Sequence, residues 1–164
     1  MRKFLVDTML GKLAKELRML GYDALYYRGE NPRELIRLAG EQERVILTRN
    51  VKLKDHPKES RIILILKDSP VLQLRELLRE GIIALNEETF FSRCLLCNSL
   101  LDKIPREEAE GKVPDFIFYK QEEFHRCPQC HKIYWPGSHQ ERMQERLRDL
   151  FRISGVKGSG GPAN

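Results

Sequence analysis

The 164-residue chain has no apolar run long enough to cross a bilayer, for which about 20 residues are needed, so no membrane association is expected. Its opening residues, MRKFLVDTML, have neither a long apolar h-region nor a cleavage site, so no secretion signal is expected. There is no internal repeat. Tryptophan occurs once, as Trp135, and cysteine four times. Those cysteines stand as two close pairs. In a chain without a secretion signal that arrangement points to metal rather than to disulfides, and to a cytoplasmic setting. Neither sign of charge is scarce: 29 Lys and Arg face 24 Asp and Glu, a formal net charge of +5. That is a mild lean toward acidic partners such as nucleic acid. With 41% apolar and 32% charged residues the composition is that of a globular protein.

The stretch around which the chain is organised is Lys3 to Gly21. A short apolar run, Phe4-Leu5-Val6, stops at a carboxylate, Asp7. Met9, Leu10, Leu13, Leu17 and Leu20 then recur at helix spacing, with Lys12, Lys15, Glu16 and Arg18 on the other side and Gly21 as a stop signal. The pattern predicts a buried strand, an acid at its carboxyl end, and an amphipathic helix. In open α/β sheets the carboxyl ends of strands border the ligand crevice. Asp7 is therefore a candidate for chemistry as well as for a helix cap.

Further strand and helix signals alternate up to Leu85. Asp23 to Tyr27 predicts a second strand. Asn31, Pro32 and Glu34 make a capping box before Leu35, Ile36, Leu38 and Ala39. Arg44 to Thr48 predicts a third strand, followed by Arg49-Asn50 and a charged loop through Ser60. RIILILK, Arg61 to Lys67, reads as a strand covered on both faces and ends at Asp68. Ser69-Pro70 opens a helix with Leu72, Leu74, Leu77 and Leu78 inside and Gly81 at its end, and Ile82 to Leu85 predicts a fifth strand. Alternation of this kind implies a doubly wound parallel sheet. Asp7, Asn50 and Asp68 would then share one edge, as oxygen donors suited to Mg²⁺ or Mn²⁺. Solvated strand ends account for the same three residues equally well.

After Asn86 the character changes. Cys94-Leu95-Leu96-Cys97 and Cys127-Pro128-Gln129-Cys130 are two CxxC knuckles separated by 29 residues. Four thiolates from two tight turns complete a closed tetrahedral Zn²⁺ site of the structural kind. The spacer is long enough for a hairpin or short helix near Pro105 to Glu110. Trp135 is expected to pack on the zinc knuckle. A second capping signal, Ser138 to Glu141, opens a helix burying Met143, Leu147, Leu150 and Phe151, with Arg142, Arg146, Arg148 and Arg152 mostly outside that stripe. The expected organisation is an α/β domain over residues 1–88, a zinc ribbon with a C-terminal helix over 89–153, and a disordered Gly- and Ser-rich tail over 154–164.

These segments resemble the PIN-like ribonuclease family named for the C-terminal domain of Mut-seven exonucleases, in which a PIN-type α/β domain carries an appended zinc ribbon. The resemblance rests on Phe4-Leu5-Val6-Asp7-Thr8-Met9-Leu10-Gly11 and Leu17-Arg18-Met19-Leu20-Gly21. It continues in Val45-Ile46-Leu47-Thr48-Arg49-Asn50, the two knuckles, and Tyr134-Trp135-Pro136-Gly137-Ser138-His139. It spans nearly the whole chain except the tail. It implies a PIN-like doubly wound sheet and a metal-dependent RNA hydrolase, in which carboxylates bind Mg²⁺ or Mn²⁺ to activate a water at the scissile phosphate. Asp7 matches the family's first acid. The position after Thr48-Arg49 is usually Asp in the family and is Asn50 here. The acid often placed before the second helix is represented by Glu30, since Asn31 occupies the capping place.

Two functions follow from the resemblance. In the first, a ribonuclease, Asp7 is the main metal ligand, Glu30 and Asp68 are further acids, and Asn50 is a neutral ligand or substrate contact. Lys12, Lys15, Arg18 and Arg49 then hold RNA phosphates. In the second, the fold binds RNA or a protein partner without cutting it, and the amide at position 50 favours that alternative. Oligomeric state is not readable from the sequence.

Overall fold

The computed structural model describes residues 1–53 and 61–154; of the last helix, the side chains of residues 138, 139, 150, 151, 153 and 154 lie outside the description. The expected loop through Ser60 falls largely, and the glycine-rich tail beyond Ser154 wholly, outside the described residues. The chain divides into two compact units, Met1–Phe91 and Ser92–Asn164. Among the described residues no helix is long and apolar enough to cross a membrane.

The first unit is a four-stranded parallel sheet with helices on it. Its strands are β1 (Lys3–Val6), β2 (Asp23–Tyr26), β3 (Val45–Thr48) and β4 (Ile62–Leu64), in the order β2-β1-β3-β4. The helices are α1 (Gly11–Met19), α2 (Pro32–Glu41) and α3 (Pro70–Arg79). The chain runs outward from β1 to β2, then returns across β1 to start β3. Right-handed crossovers with opposite directions put their helices on opposite faces. Accordingly α1 packs with α3, whereas Leu35 and Ala39 of α2 pack with Leu5 and Ile46 on the other face. Phe4, Leu5 and Val6 are fully buried, as expected of a central strand covered on both sides.

Local chemistry sets the element ends. The Asp7 carboxylate accepts from the Thr8 amide at 2.7 Å, opening a 3-10 turn (Thr8–Leu10) that leads into α1. Gly21 ends the α1 segment at φ +89°, where a Cβ would collide with the Thr89 backbone and side chain. Asn31 caps α2 by accepting from the Arg33 amide at 3.0 Å, and Ser69 caps α3 by accepting from the Leu72 amide at 3.3 Å. Arg44 clamps the opposite edge of the sheet from Asp7: its guanidinium donates to both oxygens of Asp23, at 2.6 and 3.2 Å, and to the Phe4 carbonyl.

Several expectations are corrected. RIILILK is not a strand buried on both faces; β4 covers only Ile62–Leu64, each half-buried, because the strand order leaves it at the sheet edge. Fully buried β3 takes the central place instead. Ile82 to Leu85 forms no strand. The Tyr22 hydroxyl donates to the Ala84 carbonyl and accepts from the Ala84 amide, both at 2.7 Å, so a side chain replaces the ladder there. Glu34 does not close a capping box; its carboxylate accepts from the Tyr27 hydroxyl at 2.9 Å. Met9 and Leu72 are exposed rather than inside.

The second unit is built on an antiparallel sheet, β5 (Asp102–Ile104), β6 (Phe124–Arg126) and β7 (Ile133–Tyr134), in that order. The long spacer holds a 3-10 turn at Arg106–Ala109 and a short helix, α4 (Asp115–Lys120). Ile104, Ala109, Val113, Phe124 and Ile133 form its core, with Ile117, Phe118 and Trp135 packed against it. The final helix is α5 (Ser138–Ser154), which buries Leu147.

Candidate functional site

In the first unit β1 and β3 are neighbours from which the chain departs in opposite directions. That is the switch point of a doubly wound sheet, where a crevice opens outside the carboxyl ends of the strands. Asp7 follows β1 and Thr48 ends β3. The Asp7 amide donates to the Leu47 carbonyl at 2.9 Å, which locks the two strand ends together. The fully buried Thr48 hydroxyl donates to Asp7 Oδ2 at 2.6 Å and accepts from the Asn50 amide at 3.0 Å. Its single proton is thereby committed to the carboxylate. The Thr8 amide and hydroxyl both donate to Oδ1, at 2.7 and 3.4 Å, so both Asp7 oxygens are oriented, and Oδ2 keeps a lone pair for a further partner.

A cleft of about 390 Å³ lies over this point, lined among others by Asp7, Thr8, Glu30, Asn31, Arg49 and Asn50. The β2–α2 loop brings in Glu30 and Asn31, and Tyr27 beneath it holds the loop in place. The Tyr27 hydroxyl lies 3.1 Å from the Asn31 carbonyl and 2.9 Å from Glu34 Oε2. A Cβ on Gly29 would run into the Tyr27 hydroxyl and ring, so only glycine lets the loop pass this closely. Burial raises the Tyr27 phenol above its ordinary pKa, and the Glu34 hydrogen bond and charge raise it further; Asp7 adds a smaller push. Tyr27 therefore stays protonated, as a donor.

In the second unit the Sγ atoms of Cys94, Cys97, Cys127 and Cys130 all lie within 4.8 Å of one another, and none is in a disulfide. The two knuckles repeat each other bond for bond. The Cys97 amide meets Cys94 Sγ and the Cys130 amide meets Cys127 Sγ, each at 3.4 Å. The amides of Asn98 and His131 donate to the carbonyls of Cys94 and Cys127, each at 2.9 Å. Asn98 and His131 both take left-handed backbone, φ 69° and 62°. Each knuckle thus turns sharply enough to aim two sulfurs and several amides at one point. His131 is occupied as the turn residue and is not one of the clustered ligands.

The description Mut7-C RNAse domain belongs to a family model that matches residues 2–147. The chain belongs to this family. No curated protein matches the sequence. The match spans both units, and the family implies RNA as the substrate.

The cysteine cluster of this Mut7-C chain fits a metal. Zn–S bonds of about 2.3 Å in a tetrahedron separate the sulfurs by about 3.8 Å. Cys94 Sγ and Cys130 Sγ stand 3.7 Å apart. The thiols also resist becoming anionic together. Burial pushes Cys94 up, but hydrogen bonds, chiefly from Tyr134, bring it down to about 6. The hydrogen bond with Cys130, burial and the Cys94 charge push Cys97 up to about 12. A central cation removes that conflict. The aromatic residue at the cluster is Tyr134, whose hydroxyl is 3.2 Å from Cys94 Sγ. Trp135 packs against the small apolar core of this unit.

The cleft's donor set is all oxygen, as hard divalent cations prefer. Its two carboxylates come from Asp7 and Glu30, its two amides from Asn31 and Asn50. Both amide oxygens already accept a backbone N–H, Asn31 from Arg33 at 3.0 Å and Asn50 from Lys52 at 3.1 Å, and each retains one acceptor position. Asp68 does not join them. It sits beyond the end of β4, its side chain 92% exposed, and engages Arg49 at 2.9 Å. Among the described residues, three or more acidic, His or Cys ligands converge only at the cysteine cluster. Lys12 and Lys15 are exposed on α1. Arg18 does not reach the surface: it is 5% exposed and its Nε donates to the Ala24 carbonyl at 2.9 Å. Helix spacing puts Arg18 outside, but a side chain that satisfies a buried strand carbonyl is drawn in.

Sequence patterns treat Thr48 only as a strand end, Tyr27 only as a strand residue and Asn31 only as a cap. Nothing local marks them as neighbours of Asp7. The one available signal is Gly29 between Arg28 and Glu30, a glycine that ends no helix.

Proposed function

We propose that the chain is a metal-dependent ribonuclease that hydrolyses RNA phosphodiester bonds in the cleft at the ends of β1 and β3. The observation that carries this reading is the Asp7 carboxylate, held on both oxygens by Thr8 and Thr48 at the switch point of the sheet. A carboxylate so fixed loses little freedom when it takes up a cation. Asp7 and Glu30 would hold Mg²⁺ or Mn²⁺, with Asn50 and Asn31 as neutral oxygen partners. The chemistry such an ion would supply there is activation of a water and neutralisation of charge on the scissile phosphate. Lys12, Lys15 and Arg49 would steer the RNA backbone by charge; Arg18 is buried and is not part of that group. Asp68 acts through Arg49, whose guanidinium it holds. The cysteine cluster would hold one structural Zn²⁺.

A second reading is supported by the same cleft: RNA binding without cleavage. Of the four carboxylate and amide side chains lining it, two are amides whose oxygens already serve the backbone. Fewer carboxylates mean weaker divalent binding.

Purified protein, incubated with single-stranded RNA and Mn²⁺ beside an Asp7→Ala variant, decides between the two. Cleavage by the parent alone is the expected result. Equal cleavage by both, or bound but intact RNA with both, overturns the nuclease.

A further inference from the structure

The cleft is lined by polar and apolar side chains alike, and two large apolar side chains stand in solvent on the loops that border it. Met9, in the turn after β1, is 74% exposed and lines the cleft. Val51 is 60% exposed and lies in the 3-10 turn after β3 (Val51–Leu53), between two cleft-lining residues, Asn50 and Leu53. Neither position is left exposed by a failure of packing, because the next apolar residue on each turn, Leu10 and Leu53, is buried. Each turn thus sends one apolar side chain inward and presents one outward.

Each also carries a lysine. Lys12 follows Met9 by three residues, on the first turn of α1, and Lys52 is adjacent to Val51; both are exposed. Among the described residues neither lysine is in a salt bridge, whereas Arg49, the cation within the cleft, is held by Asp68. An apolar group beside a cation, twice over on neighbouring strand ends, matches a ligand that alternates flat apolar faces with negative charges. A small phosphate ester has no use for the apolar pair. A single-stranded nucleic acid has use for both.

We propose that Met9 and Val51 are the base-contacting lips of the cleft, and that Lys12 and Lys52 take the phosphates beside those bases. The ligand is an unpaired stretch of RNA, since bases inside a duplex are stacked and their faces are covered. This rests on the ribonuclease reading for the nature of the polymer, but not on its cutting activity. Contacts of this kind discriminate poorly between bases, because every base has an apolar face, so the lips select strandedness rather than sequence.

The test is equilibrium binding, by fluorescence anisotropy, in buffer without added divalent cation so that no cleavage intervenes. The full chain is compared with Met9→Ser, Val51→Ser and the double variant, all at exposed positions and all checked for an unchanged circular dichroism spectrum. The ligands are a single-stranded oligoribonucleotide, a backbone of the same length without bases, and the RNA duplex. The parent should bind the single strand tighter than the other two. The double variant should lose about tenfold on the single strand and little on the base-free backbone, the loss expected for two partly buried apolar side chains. Equal affinity of parent and double variant for the single strand overturns the lips and leaves the ribonuclease reading standing. So does a parent that binds duplex as tightly as single strand. A parent that binds none of the three removes the RNA reading itself, and the lips with it.

Discussion

The hydroxyl of Thr48 donates to Oδ2 of Asp7 across 2.6 Å, joining the ends of two adjacent strands that lie 41 residues apart in the chain. Because Thr48 also accepts from the Asn50 amide, one fully buried hydroxyl ties β1, β3 and the loop after β3 into a single arrangement. Several consequences can be measured.

Thr48→Val keeps shape and β-branching but removes the donor to Asp7 and the acceptor for Asn50. Leaving buried partners unpaired costs about 1–3 kcal/mol, read as a lower midpoint in urea. Thr48→Ser should recover most of it. Mn²⁺ binding at the cleft should weaken in the valine variant more than in the serine variant, because Asp7 is then held only through Oδ1, by Thr8.

Asn50→Asp should tighten Mn²⁺ roughly tenfold, since divalent affinity rises with carboxylate count. The turn should survive, because an aspartate oxygen can still accept from the Lys52 amide as Asn50 Oδ1 does at 3.1 Å. Without metal the new carboxylate shares the cleft with Asp7, and the variant should be less stable than the parent until Mn²⁺ is added. Calorimetric titration and thermal melts with and without Mn²⁺ check both signs. An unchanged affinity would remove Asn50 from the cleft's metal ligands.

Gly29→Ala drives a methyl group into the Tyr27 hydroxyl and ring. The β2–α2 loop must shift, at a cost of about 1–3 kcal/mol. Tyr27→Phe avoids the collision but releases Asn31 and Glu34. If Tyr27 positions the loop that carries Glu30, both variants should weaken Mn²⁺ binding, and the Phe variant should do so with the smaller loss of stability.

Cys94→Ser should release the metal of the second unit, measured as zinc per chain by elemental analysis. The parent should hold one. A strong chelator should have the same effect and should expose the core around Phe124, because in such modules much of the folding free energy is metal-binding free energy. Retention of structure after zinc removal, or an iron–sulfur absorption band in place of zinc, would refute the assignment.

The two CxxC pairs were readable from the sequence because each knuckle is a local turn: four residues suffice to aim two sulfurs at one point. Asp7 was readable for a similar reason, as the place where an apolar run meets a helical period. What joins these local features is set by strand order. The sequence alternation specifies a parallel sheet, but nothing in it says that β3 lies beside β1 and β4 at the edge. That order makes Thr48 the partner of Asp7, brings Glu30 and Asn31 to the same cleft, and leaves Asp68 outside it. It also turned the most apolar run of the chain into a half-buried edge strand. Periodicity reports which face of an element is apolar; it does not report which neighbour needs a donor. Arg18 was drawn inward by the Ala24 carbonyl, and the Tyr134 hydroxyl came to the Cys94 sulfur. Hydrogen-bond partners distant in sequence are chosen by the folded backbone, so those residues acquire their roles only once the strands are in place.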